Sequence, residues 1–246
     1  MAWYVDPLLA FGSLADWSQV LDAGTGYGWL SFALALRTPW HVTAVDRDER
    51  RLQATRAIAD ILGLSDRIDF VPASVGQLPF KEQEFDVTFC IEVLEHVHAA
   101  RAAAACELAR VTRNLLTVTT PNRHFPVIGH DTALPFCHML PIPLRDRYAA
   151  RFNRQRRQEG NLFWSAHELH VCLSDFERVS RFLNFPNYRA YRRANSAECG
   201  QANPLSVPMG VRTKRVFYGV ARLAAKYSDF IMPNLASTYR RRKVGH

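Results

Sequence analysis

No apolar run in the 246-residue chain approaches the ~18–20 residues that a membrane-spanning helix requires. The amino-terminal stretch MAWYVDPLLAFG has neither a basic n-region nor a cleavage-site pattern, so no signal peptide is expected. Cysteine is scarce: Cys90, Cys106, Cys137, Cys172 and Cys199 are scattered and form no CxxC pair. An odd, dispersed set points away from a disulfide framework and toward reduced thiols in a cytosolic protein. Internal repeats, low-complexity tracts and a clear interdomain linker are also missing, so the expectation is one domain over 1–246.

The composition that is present is ordinary for a soluble globular chain, at 48% hydrophobic and 22% charged. Its net charge of +8 is unevenly distributed. Residues 1–120 hold 10 Lys and Arg against 15 Asp and Glu, whereas residues 121–246 hold 21 against 8. Such asymmetry suggests that the second half faces an anionic partner, set against the plainer alternative of a solvated basic face.

Along the first half, short apolar runs alternate with helical stretches. WSQVLDAG, HVTAVD, RIDFVPAS, FDVTFCIEV and NLLTVTTPN read as strands, and WLSFALALR, RDERRLQATRAIADILG and AARAAAACELARV as helices. This order predicts an α/β fold with a doubly wound, mostly parallel sheet, in which ligands gather beyond the carboxyl ends of the strands. The unusual residues cluster at those ends: the glycines after the first strand, Asp46, Ser74, Cys90 to Glu92, and Pro121 with Asn122. After residue 121 the pattern turns irregular, and PNRHFPVIGHDTALPFCHMLPIPLRDRY reads as a long loop or cap. SAHELHVCL carries a capping-box pattern from Ser165 to Glu168, FERVSRFL reads as a strand, and LASTYRRRKV reads as a final edge strand.

The glycines define the ligand. Their spacing is Gly24-x-Gly26-x-Gly28, while a dinucleotide fingerprint needs its third glycine at position 29, where Trp29 stands. There is no GxxxxGK[ST] phosphate loop either. An acid at the end of the second strand, Asp46, suits the two hydroxyls of a ribose, and Asp22 places a carboxylate where a cationic group would be held. A ribose diol plus a positive charge, without pyrophosphate, describes S-adenosylmethionine.

VLDAGTGYG, VTAVDRDE, ASVGQLPFKEQEFDVTFCIEVLEHV and LLTVTTPN resemble, in order and spacing, the successive motifs of class I S-adenosylmethionine-dependent methyltransferases. The branch it looks most like includes quinone-biosynthesis methyltransferases and many small-molecule enzymes. The resemblance covers about residues 17–122 and implies a seven-stranded Rossmann-like methyltransferase fold. Residues 17–122 would form its cofactor-binding core, and 123–246 an irregular acceptor cap, terminal strands and a basic helix. It also implies that Gly24, Gly26 and Gly28 pass the methionine portion of the cofactor. Asp22 would hold its amino group, Asp46 its ribose and Cys90, by its backbone carbonyl, its ammonium. Ser74 and Val75 would flank the adenine, with Ser74 replacing the usual acid.

Methyl transfer from a sulfonium needs chiefly alignment, and a base only where the acceptor must lose a proton. His96, in EVLEHVH, is the candidate base, with a packing or capping role as its competitor. His130, Asp131 and Trp164 are the candidate acceptor contacts in the cap, where loop and core roles compete. The spacing of His124, His130, Cys137 and His138 matches no zinc pattern, so no metal is expected. The basic amphipathic stretch 211–227 reads as a terminal helix packed on the sheet or as an anionic-membrane contact beside a lipid-like acceptor, which would make the protein peripheral to the membrane. Nucleic acid is the weakest partner reading, and no partner protein is identifiable. Two rivals stand beside methyl transfer: an NAD(P)-dependent oxidoreductase on a Rossmann-like fold, and a catalytically inactive adenosyl-ligand-binding protein.

Overall fold

The computed structural model describes residues 18–97, 101–128, 131–154, 163–180, 216, 219 and 234–242. Five strands and three helices come first, alternating except between β3 and β4: β1 (Gln19–Ala23), α1 (Trp29–Arg37), β2 (His41–Asp46), α2 (Glu49–Ile61), β3 (Ile68–Pro72), β4 (Phe85–Ile91), α3 (Arg101–Val111) and β5 (Thr112–Thr119). Then come α4 (Ile142–Arg151), α5 (Ala166–Cys172), β6 (Phe176–Ser180) and β7 (Ser237–Arg241). The sheet order is β3-β2-β1-β4-β5-β7-β6. All pairs from β3 to β5 are parallel, and β7 runs antiparallel to both its neighbours. The expected seven-stranded, mostly parallel sheet is therefore present.

Side-chain alternation along the strands sorts the core into two layers. Leu21, Ala23, Val45, Cys90, Leu116 and Val118 face α3 and α5, packing on Ala104, Leu108 and Leu169. Val20, Val42, Ala44, Phe89 and Leu115 face the other side, against Leu30, Leu34, Ala59 and Trp40. Local signals fix the helix ends. The Asp48 carboxylate accepts the Arg50 and Arg51 N–H groups at 3.0 and 3.3 Å, capping α2. Ser165 and Glu168 form the expected capping box on α5.

Two expectations need correction. The LASTYRRRKV segment does supply a strand, yet β7 is interior and β6 forms the edge. Its Ser237–Arg240 backbone pairs with Val118–Leu115 on one side, and its residues Thr238–Arg241 pair with β6 on the other. Ser237, Thr238 and Tyr239 are accordingly buried, and only the basic end projects to the surface. Nor is the cap merely irregular, since it contains α4. Pro143 is tolerated in that helix because its first turn needs no donated N–H. The stretch 211–227, except Val216 and Gly219, and His130 lie outside the described residues. No helix among the described residues is long and apolar enough to cross a membrane.

Candidate functional site

The carboxyl ends of β1 and β2 are joined through the glycine turn. Val45 at the end of β2 accepts the N–H groups of both Gly24 (2.7 Å) and Thr25 (2.8 Å) on its carbonyl oxygen. Asp46 continues the clamp: its Oδ2 accepts the Gly26 N–H and its Oδ1 the Asp48 N–H, each at 2.9 Å. The Thr55 hydroxyl, from α2, donates to the Gly26 carbonyl at 3.1 Å. Beneath the turn, the buried Asp22 Oδ2 accepts Thr25 Oγ1 at 2.9 Å and Ser31 Oγ at 2.6 Å. Burial pushes the Asp22 carboxyl above its ordinary range, opposed by those hydroxyls, with the Asp46 charge adding to the rise. Both carboxylates thus shape the turn whether or not a ligand is bound.

The three glycines do different work. A Cβ on Gly24 would collide with Val93, which follows β4, and one on Gly28 would collide with Thr55 and Phe32. Gly26, at φ +58, would meet nothing within 4 Å. Only the middle glycine opens its backbone toward free space, and its N–H is the one anchored by Asp46. A paired substitution separates these roles. Gly24→Ala, strained at φ +85 and clashing, is expected to lose about 3 kcal/mol or more of stability. Gly26→Ala is expected to lose only about 1–2 kcal/mol from its left-handed backbone while weakening ligand binding. Thermal unfolding and ligand titration of the two variants check this.

The other expected cofactor contacts fall around the same edge. Ser74 is exposed in the turn after β3, where its Oγ accepts the Gly76 N–H at 3.2 Å. The Val75 side chain, by contrast, is in the core, so only its backbone is available to a ligand. The Cys90 thiol is fully buried, and burial raises it well above the ordinary thiol range, so that side chain is inert.

Past β4, the EVLEH motif holds a feature that sequence reasoning missed. Glu92 has a left-handed backbone at φ +55, and its N–H donates to the Thr119 carbonyl at 2.9 Å. Glu95 is wholly buried and accepts the Thr120 hydroxyl at 3.1 Å. Burial first, and then the neighbouring Glu92 carboxylate, push Glu95 up to about 8, so this acid keeps its proton at neutral pH. Asn234, beside β7, donates to Glu92 Oε1 at 3.2 Å. The available signal was two glutamates three residues apart directly after a nearly continuous apolar run, FDVTFCI. His96, the expected base, is half-buried, with its Nε2 4.0 Å from Glu95 Oε1.

In the cap, two expected acceptor contacts are committed to structure. Asp131 is buried and paired with Arg145 at 2.8 Å. Trp164 is not on an open pocket wall: it is 1% exposed, its indole N–H donates to the Leu94 carbonyl at 3.3 Å, and Arg101 lies 4.2 Å over its ring. Its own carbonyl accepts the Arg123 N–H at 2.9 Å, so it ties the end of β5 to the turn that carries Glu95 and His96. Trp164 is therefore positioned to hold the cap on the sheet, and Asp131 to hold α4 to the loop before it. His138 is likewise occupied, at 2.9 Å from the Arg123 carbonyl, and burial lowers it so that it stays neutral. Among the described residues no group of His, Cys, Asp and Glu is arranged to hold a metal ion.

Residues 20–114 match a family model described as a methyltransferase domain. The ubiquinone/menaquinone biosynthesis C-methyltransferase UbiE of Bartonella bacilliformis is 35% identical over 138 residues, 54% of this chain and 52% of that one. The chain thus spans about half the length of the curated relatives it matches. Two solved structures show the same fold at low identity. Magnesium protoporphyrin IX methyltransferase of Synechocystis PCC 6803 with bound SAH aligns with a TM-score of 0.54 at 16% identity, covering 96% of this chain and 78% of that one. The 4+2 cyclase SpnF aligns with a TM-score of 0.52 at 18% identity, covering 94% and 80%. Over residues 20–114, with their parallel sheet and glycine turn, the chain matches the methyltransferase-domain family.

Proposed function

We propose that this chain binds S-adenosylmethionine across the carboxyl ends of β1, β2 and β4 and transfers its methyl group to a small-molecule or lipid-like acceptor beneath the cap. The observation that carries the reading is the open backbone at Gly26, with its N–H anchored on the Asp46 carboxylate at 2.9 Å. In this reading Gly24, Gly26 and Gly28 pass the methionine portion. Asp46 takes the ribose hydroxyls with the lone pairs its backbone bonds leave free, and Asp22 receives the ammonium directly or through water. Ser74 and the Val75 backbone border the adenine, and the Cys90 carbonyl faces the ammonium. The cofactor, when bound, supplies an activated methyl group. The protein's part is alignment and exclusion of water, with His96 as the base where the acceptor carries a proton to be lost. Asp131 and Trp164 act on the acceptor by holding the cap in place, and His130 is the candidate direct contact.

Thermal-shift measurement separates this reading from its rivals. Stabilisation by S-adenosylmethionine and by its demethylated product, without stabilisation by NAD, is the expected result. Stabilisation by NAD alone would overturn it in favour of an oxidoreductase. An adenosyl-ligand shift without methylation of any phenol, amine or carbon-acid acceptor in a panel would favour the inactive binding protein.

A further inference from the structure

The cap carries exposed apolar side chains and positive charge that forms no ion pair with the described residues. Of the thirteen large hydrophobic residues exposed among the described residues, five fall between 136 and 152: Phe136, Met139, Ile142, Leu144 and Phe152. Phe136 is 55% exposed in a left-handed backbone at φ +56, an uncommon state for a bulky residue. The short turn that follows it, Cys137–Met139, packs on α4, with the Asp131–Arg145 ion pair and Cys137 Sγ, 3.8 Å from the Arg145 carbonyl, stitching the unit together. The helix buries Ala149 and turns Leu144, Arg147 and Arg151 outward. Exposed Arg154 follows just beyond it.

Arg101, Arg110, Arg113, Arg123, Arg145 and Arg240 each pair with a carboxylate within 4 Å. Among the described residues no such pair involves Arg147, Arg151 or Arg154. The acid on α4, Asp146, lies one position before Arg147, about 100° round the helix from it. Exposed Leu, Ile, Met and Phe gain nothing from a phosphodiester backbone, so the combination fits a lipid surface better than a nucleic acid.

We propose that the cap's outer face, formed by the 136–139 turn and α4, docks on an anionic lipid bilayer. Leu144, on the Arg147–Arg151 side of α4, enters the headgroup boundary with exposed apolar side chains of the turn while Arg147, Arg151 and Arg154 meet lipid phosphates, each arginine strengthening partitioning about five-fold. The turn and α4 join the end of β5 through the His138–Arg123 contact at 2.9 Å, so the membrane lies beside the acceptor end of the sheet. Resting on the proposed methyl transfer, this placement makes an amphiphile drawn from the bilayer the acceptor class; the docking itself does not depend on that reading.

Flotation of the full chain with vesicles of phosphatidylcholine alone, or with 30% phosphatidylglycerol, tests the docking. Binding to the anionic vesicles only, lost at high salt, is expected. The double variant Arg147→Glu/Arg151→Glu and the variant Leu144→Glu are each expected to weaken it at least ten-fold, with an unchanged circular dichroism spectrum and an unchanged thermal shift with S-adenosylmethionine. Failure to bind anionic vesicles would overturn the proposal. So would full binding by these variants, which would move the contact to another basic segment such as 211–227. A concentration-dependent dimer broken by Leu144→Glu, without vesicle binding, would instead assign the face to a second copy of the chain. A missing adenosyl-ligand shift would count against the cofactor reading alone.

Discussion

Asp46→Ala is expected to weaken S-adenosylmethionine binding by at least 100-fold and to lower the melting temperature by a few degrees. The two effects have separate origins. In the protein alone, Asp46 accepts the Gly26 and Asp48 N–H groups, so alanine leaves two donors at the edge of the glycine turn without their partner. Each loss costs about 1 kcal/mol where water can take over, and more where it cannot. In the complex, the same carboxylate would receive two ribose hydroxyls, charge-assisted bonds worth about 1.5–3 kcal/mol each. Losing both accounts for the 100-fold or larger effect. Calorimetric titration measures the affinity, and thermal unfolding without ligand measures the structural share. Asp46→Asn sharpens the result, because its amide retains one acceptor oxygen but presents an N–H₂ to the second donor. It should therefore fall between wild type and alanine in both measurements. Unchanged affinity in the alanine variant would remove Asp46 from the site.

The second large effect concerns the acid pair after β4. Glu95 titrates near 8 in the folded protein and near 4.5 when unfolded. Its folded-state value is raised, so the native state retains a proton that the unfolded chain releases. The associated stability is complete below pH 4.5 and is lost as pH rises toward 8, at about 1.4 kcal/mol per pH unit for full proton uptake. Glu95→Gln replaces the protonated acid with a permanently neutral group of similar shape. Its amide oxygen can accept the Thr120 hydroxyl as Glu95 does, and its N–H₂ can donate to the Glu92 carboxylate. The variant is expected to be about 3 kcal/mol more stable than wild type at pH 7, a gain of roughly 6–12 °C in melting temperature for a domain of this size. Near pH 5 the two proteins should nearly coincide. Melting curves between pH 5 and pH 9 test the sign directly. A wild-type melting temperature that does not fall over this range, or no gain from glutamine at pH 7, would show that Glu95 ionises freely in the folded state.

The parallel half of the molecule was legible because its inner strands are buried on both faces. VLDA, HVTAVD and FDVTFCI are nearly continuous apolar runs, and their ends are marked by glycine or acid residues that suit no strand interior. The turn could be placed from Gly24, Gly26 and Gly28, but the division of labour among them could not. That Val93 crowds Gly24 is a long-range contact absent from the local pattern. The α4 helix was obscured by Pro141 and Pro143, which mark a loop by composition but occupy the cap and second position of a helix. Trp164 looked like an acceptor contact because an aromatic residue in a cap carries the same sequence signature whether it meets a ligand or a core. The Glu92–Glu95 pair was overlooked for a related reason. Glutamate next to histidine draws attention to the histidine, while the chemistry depends on how deeply each side chain is buried.

The position of β7 has a consequence for synthesis. Among the described residues β6 pairs only with β7, and β5 finds its second neighbour in that same strand. As the chain leaves the ribosome, α3 and β5 emerge early while one edge of β5 still lacks a partner. β6 follows and has no neighbour to pair with until residues beyond 236 arrive. The nascent chain thus carries an open strand edge until β7 emerges, the state in which edges recruit other chains. The arginines at 240 and 241 provide a late lock: Arg240 closes on Glu177 at 2.8 Å and Arg241 on the Thr112 carbonyl at 2.8 Å. Completing the sheet therefore waits on β7, well after the cofactor half of that sheet has emerged.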